Sequence, residues 1–256
     1  MRVYIASKES YATMPYHVLP VLTPLLGEQS GQHPLSVLVS FLPFVVLVLL
    51  IVLAVYGAKR SVRRRTAGFQ QVAGMLGLRY VEYSAGHLMD QLAEFQLFAQ
   101  GKSRRISNVM QGKIQDTEVS VFDYAYTTGA GKRAQTHRQT VICFQGGTAS
   151  WPNFALRPAG PFYRFTEGPG DRPIEGAVPA RLSETLVLRG TDEVAVRALF
   201  GEDQWRVIET LSPISCECRG DRFLFYRQRQ RVRPDQLEQL LAEGLDLCKL
   251  FPSSDV

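Results

Sequence analysis

The pattern of apolar and polar positions divides the chain into one uninterrupted apolar run and a longer region in which the two alternate. No Asp, Glu, Lys or Arg occurs between Glu28 and Lys59, and Leu35 to Gly57 reads LSVLVSFLPFVVLVLLIVLAVYG. As a helix rising about 1.5 Å per residue this run reaches roughly 34 Å, enough to cross a hydrocarbon core of about 30 Å with some tilt. Ser36 and Ser40 near its start leave it without the polar face of an amphipathic helix, and Pro43 is tolerated in a membrane. The pattern predicts a transmembrane helix over 35–57. Residues 1–34 carry Pro15, Pro20, Pro24 and Pro34 and only short apolar stretches, which predicts a flexible outer tail; Met1 and Met14 are both candidate starts.

Beyond the run the period changes from element to element. Phe69, Val72, Ala73 and Leu76 recur at helical spacing before Gly77, so 58–78 reads as a basic juxtamembrane segment with a short helix that continues the span or folds back along the membrane. A strand is expected over 79–83, a helix over 87–95 and an antiparallel meander over 103–111, 118–126 and 135–145, punctuated at 111–113 and 127–132. VSVFDYAY has apolar or aromatic groups on both faces and predicts a central strand covered on both sides. An extended piece over 151–158 and a Gly and Pro rich connection over 159–182 follow. The remainder predicts a strand over 184–189, a helix capped by Thr191 or Asp192, a helix over 202–211, strands over 214–219 and 222–227, and a helix over 234–251 with a leucine stripe. The fold class is therefore α+β: one N-terminal transmembrane helix, then a soluble domain over 79–256 with a largely antiparallel sheet of six or more strands and a long C-terminal helix on one face.

Charge adds orientation. Lys59, Arg60, Arg63, Arg64 and Arg65 follow the run at once, whereas the 34 residues before it hold only Arg2, Lys8, Glu9 and Glu28. The positive-inside bias places the domain in the cytoplasm and the N-terminus outside, with the five cations against anionic headgroups. They also account for the whole formal charge of +5, because residues 66–256 hold 22 basic and 22 acidic side chains. A neutral domain counts against a nucleic-acid partner.

Candidate chemistry is sparse. Gly101-Lys102-Ser103 lacks the earlier glycine of a phosphate loop, and Gly129-Ala130-Gly131-Lys132 sits between strands where no helix N-terminus follows. Cys216 and Cys218 form a C-x-C with no companion ligand pair, and alternation puts both on the core face of a strand, so neither a metal nor a cofactor is expected. The most concrete constellation is the hairpin around Ala130 and Gly131. Centred there, Tyr126 faces Gln135, Tyr124 faces His137, and Asp123 faces Arg138 as a cross-strand ion pair. Tyr124, Tyr126 and His137 then share the opposite face. Arg227, Arg229, Arg231 and Arg233, spaced by two, and Lys102, Arg104 and Arg105 are the densest cation clusters of the domain.

GKSRRISNVMQGKIQDTEVSVFDYAYTTGAGKRAQTHRQTVICF, with ETLVLRGTDEVAVRALF, DRFLFYRQRQRVRPDQLEQLL and the G-L-R-Y after the first helix, resembles uncharacterised bacterial proteins with one N-terminal span. The resemblance covers most of 35–251; it implies a bacterial inner membrane and a shared domain, and carries over no catalytic residue. The resulting expectation is a membrane-anchored module that binds a protein partner or an anionic lipid headgroup. The competing expectation is an enzyme on a membrane-associated substrate, working through the face of Tyr124 and His137.

Overall fold

The computed structural model describes residues 34–81, 85–146, 150–160 and 171–251, with side chains from Leu42 onward apart from Ala85. The segment read as an outer tail, the two candidate starts, and Phe162, Tyr163 and Phe165 lie outside the described residues. Two compact units divide between Ala54 and Val55.

Helix α1, Pro34–Met75, is 42 residues long and contains Pro43. It does not stop after the apolar run. Ala58 to Ala67 are mostly good helix formers with no proline among them, so propagation costs less than a new nucleus. From Leu42 onward it is long and apolar enough to cross a membrane, and none of its apolar window is buried. In the first unit Leu47, Leu50, Ile51 and Leu53 are all exposed.

In the second unit α1 ends where Gly77 takes φ +68° and Leu78 N–H donates to the Ala73 carbonyl at 2.8 Å, the Schellman stop expected there. Short strand β1 (Arg79–Val81), helices α2 (Ala85–Gln91) and α3 (Gln96–Ala99), and strands β2 (Lys102–Ile114), β3 (Thr117–Thr128), β4 (Gln135–Gln145) and β5 (Trp151–Pro158) follow. The helix expected over 87–95 begins two residues earlier and ends at Gln91, and α3 starts only after Phe95. Next come β6 (Arg172–Pro173), β7 (Leu186–Gly190), α4 (Glu193–Leu199), α5 (Glu202–Leu211), β8 (Ser215–Gly220), β9 (Arg222–Tyr226) and, after a 3-10 turn at Pro234–Gln236, α6 (Leu237–Lys249). Asp192 caps α4 by accepting from the Ala195 N–H at 3.0 Å.

The strands form one nine-stranded sheet in the order β1-β2-β3-β4-β9-β8-β5-β7-β6, with every pair antiparallel. The turn between β2 and β3 lies at Gln115 and Asp116, with φ of 48° and 67°, and not at 111–113. Gly112 instead provides clearance, since a Cβ there would meet Leu78 Cδ2 at 2.8 Å; the glycine lets the chain after α1 cross the strand closely.

Both sheet faces are covered. Phe69 and Ala73 of α1 join Val119, Val121, Phe144, Phe154, Phe223, Phe225 and the leucines of α6 in one core; Leu88, Leu92 and Phe98 join Phe122, Tyr124 and Tyr126 in the other. Strand β3 feeds both cores, as its two-sided apolar pattern requires. Cys216 and Cys218 face the first core, and burial pushes their thiol pKa values up, so they pack as small apolar groups. Helix α6 seats on β4 and β9 at Gly244, where a Cβ would lie 2.7 Å from Phe225 and 3.0 Å from Phe144.

Two substitutions test that seat by urea unfolding of the full chain in detergent. Leu241→Ala is expected to cost about 2–5 kcal/mol. Gly244→Ala, which would gain up to about 1 kcal/mol in an exposed helix, is expected to lose stability instead because overpacking costs about 1–3 kcal/mol. A gain for Gly244→Ala would contradict the close approach of α6 to the sheet.

Candidate functional site

The carboxylate of Asp123 is 3% exposed in the middle of β3 and collects donors from four residues. Arg65 donates to it in bidentate fashion, Nε to Oδ2 and Nη2 to Oδ1, both at 2.6 Å. Asn108 Nδ2 donates at 2.8 Å, Arg231 Nη2 at 3.0 Å and the Thr140 hydroxyl at 3.1 Å. Asn108 reaches Asp123 because β2 bulges between Ser107 and Met110 and Asn108 sits at φ 53°, a left-handed conformation that asparagine tolerates. Its amide oxygen accepts from the Thr66 hydroxyl of α1 at 2.9 Å. The Arg65 guanidinium also lies 5.0 Å from the centroid of Phe69. Burial alone would raise the Asp123 pKa, but the hydrogen bonds and charge of Arg65, with Asn108 and Arg231, outweigh it and hold the carboxyl below its ordinary value.

The structure departs from two of these expectations. The hairpin register is Tyr126 with His137, Ala125 with Arg138 and Asp123 with Thr140, two residues away from the symmetric reading, so Asp123 and Arg138 are not a cross-strand pair. The loop carries a left-handed Gly129 at φ +74° and a 3-10 turn at Gly131–Arg133, which move its centre toward β4. Because the shift is even, each residue keeps its face. Arg65, grouped by sequence with the membrane-surface cations, has a side chain only 13% exposed and is committed to Asp123. Lys59, Arg60, Arg63 and Arg64 are exposed.

Beside Asp123 a groove of about 910 Å³ runs along the part of β2 that β1 leaves unpaired, since β1 meets only Val109 to Gln111. Val62 and Thr66 of α1 line it on the Asp123 face, and it reaches round the edge of β2 to Gly86 and Met89 of α2, beside Ile106 and Tyr124. Arg104, Arg105, Arg138 and Arg231 line it, and Asp123 is the one carboxylate among its lining residues. The two cation clusters read from the sequence thus contribute to one cleft, although the run at 227–233 does not share one face: Arg227 pairs with Glu243 at 2.9 Å and Arg233 with Asp235 at 3.3 Å.

Tyr124, Tyr126 and His137 share the other face, and that face is filled. The Tyr124 ring lies 4.4 Å from Phe98 and 5.6 Å from Tyr126, and Tyr126 lies 5.1 Å from His137. His137 Nε2 is 2.8 Å from the Thr128 hydroxyl, and burial and the charge of Arg229 lower its pKa. Burial raises the Tyr124 phenol. Farther along this face lies a network that the sequence did not reveal. Glu217, fully buried, accepts from Arg157 Nη2 at 2.6 Å and the Tyr226 hydroxyl at 2.8 Å, and Asp171 accepts from Gln96 and Arg219. The available signal is a charged residue between Cys216 and Cys218 in an apolar strand; its partner, Arg157, is 60 residues away.

No family model matches the sequence, and no curated protein matches it. The resemblance to uncharacterised single-span proteins therefore gains no named family. Among solved structures, the mycobacterial trehalose monomycolate transport factor A, TtfA, aligns with a TM-score of 0.52 at 13% identity, over 76% of this chain and 99% of that one. At that identity the likeness shows a shared fold.

Asp123→Asn keeps the shape but removes the charge that Arg65 and Arg231 share, and is expected to cost about 3–5 kcal/mol at pH 7. A carboxyl whose pKa is lowered on folding stabilises fully above its unfolded value of about 3.9, and that contribution is lost as the pH falls through the lower folded value. The gap between wild type and Asp123→Asn should therefore hold constant above about pH 5 and narrow below about pH 4. Urea unfolding at pH 7 and pH 3 reads it; a gap independent of pH would refute the charged role of Asp123.

Proposed function

We propose that the chain is a membrane-anchored interaction module, held by α1 in a bacterial inner membrane, with its N-terminus outside and the second unit on the cytoplasmic side, where it engages a lipid or protein partner. The observation that carries this reading is the contrast between the two candidate faces. The side chains of Tyr124 and His137 are buried in packed surroundings, whereas the groove beside Asp123 is open and carries four arginines against one carboxylate. An open basic cleft suits recognition of an anionic surface or group, and the packed face offers a substrate little access to His137. The fold likeness to a protein described as a transport factor is compatible with a membrane-associated interaction role. For this chain, transport of a lipid is one form the module's partner work would take.

The orientation rests on the cations after the apolar run, and it has a direct test. Reporter fusions active only outside the membrane should be silent after Val256, and replacing Lys59, Arg60, Arg63 and Arg64 by Gln should weaken that orientation. Arg65 is left intact in this test because its loss would also break the contact with Asp123. An active external reporter on the wild-type chain would overturn the topology.

A further inference from the structure

We propose that the groove beside Asp123 binds the headgroup of an anionic phospholipid, with Arg105 and Arg138 as its direct contacts. This rests on the membrane anchoring proposed above and names the partner of that groove.

Arg105 of β2, Ala125 of β3 and Arg138 of β4 are direct cross-strand partners, so their side chains rise from one face in one row. With neighbouring strands about 4.8 Å apart, the two arginines leave the sheet about 10 Å from each other. Between them stands only the methyl group of Ala125, which leaves a slot floored by a small side chain. Two like charges held across such a slot repel unless an anion lies between them. Neither arginine reaches a carboxylate among the described residues, and both are exposed. Asp123, the one acidic lining residue, is already held by Arg65 and Arg231. Four arginines against one aspartate leave the groove at a net +3, within a chain whose residues 66–256 are balanced. A phosphodiester fits the chemistry: its free oxygens accept from planar guanidinium groups, and its negative charge offsets the two arginines that no carboxylate in the cleft reaches.

The source of the phosphate follows from the wall of the groove. Val62 is on the same helix as Gly57, where the apolar run ends, five residues on, or about 7.5 Å along the axis. A headgroup layer extends roughly 5–8 Å beyond the hydrocarbon on each side. With Gly57 at the edge of the hydrocarbon, Val62 lies at phosphate level. Val62, which is exposed, supplies apolar surface for the glycerol and the first acyl carbons. The bulges of β2 at Lys102–Arg105 and Ser107–Met110 disfavour the alternative occupant of an unpaired edge, an added peptide strand.

Native mass spectrometry of the full chain in detergent, with phosphatidylglycerol or phosphatidylcholine of identical acyl chains, tests the assignment. Phosphatidylglycerol should be retained about tenfold or more over phosphatidylcholine, with the preference shrinking as salt rises. The preference should vanish in Arg105→Gln/Arg138→Gln and persist in Lys132→Gln/Arg133→Gln, which removes two cations outside the groove. Ala125→Leu fills the slot while keeping every charge and should lose the lipid as well, which separates pocket binding from general attraction. Equal retention of the two lipids, or retention unchanged in both groove variants, overturns the proposal. Displacement of the lipid by stoichiometric inorganic phosphate would overturn the lipid source in favour of a soluble phosphate. Carbonate washing of membranes separates this from the anchor: wild-type protein that stays in the pellet without lipid preference refutes the groove alone, and wild-type protein released by carbonate refutes the anchor.

Discussion

A carboxylate sealed against a sheet cannot stay ionised without donors, and Asp123 takes its principal donor from helix α1. The bidentate contact with Arg65 ties the part of α1 beyond the apolar run to the centre of β3, and Asn108, Thr140 and Arg231 close the remaining positions around the carboxylate. Phe69 and Ala73, one and two turns farther along α1, then bury against the same sheet. A buried ion pair of this kind adds little net stability compared with an apolar replacement of the same shape, yet breaking one half of it is costly. Its consequence is geometric: with Arg65, Phe69 and Ala73 turned toward the sheet, Val62 and Thr66 of the same helix line the basic groove.

Much of this is legible in the chain. The apolar run, the stripe of Leu237, Leu240, Leu241 and Leu247, the two-sided pattern of VSVFDYAY and the Gly77 stop each depend on local spacing, and each appears as an element or a core face. The parts that are not legible depend on partners far apart in sequence. Arg65 reads as one more topology cation because nothing local distinguishes it from Arg64; its partner is 58 residues away. The hairpin register escapes a symmetric reading because the turn at Gly131–Arg133 is asymmetric, and Gly112 resembles a turn signal although its role is to admit Leu78.

The two sheet faces also separate two kinds of polarity. On the covered face, Tyr126, His137, Glu217 and Arg157 are nearly or fully buried and act within the fold. On the face that meets α1, Arg105 and Arg138 stay open to solvent at the groove while Asp123 is sealed between Arg65 and Arg231. The fold shared with TtfA bears on the architecture alone, and the chemistry of the groove resides in its own side chains.

If Arg65 and Asp123 act as one unit joining α1 to the sheet, their energetic contributions must be coupled. A double-mutant cycle with Arg65→Met, Asp123→Leu and the pair, read by urea unfolding of the full chain at pH 7, measures that coupling directly. Each single change is expected to destabilise by about 3–5 kcal/mol, and the double change to cost far less than their sum, since the pair leaves no unmatched charge between these two positions. Losses that simply add, within about 0.5 kcal/mol, would show that the two residues act independently and would contradict the union of α1 and the sheet through this pair.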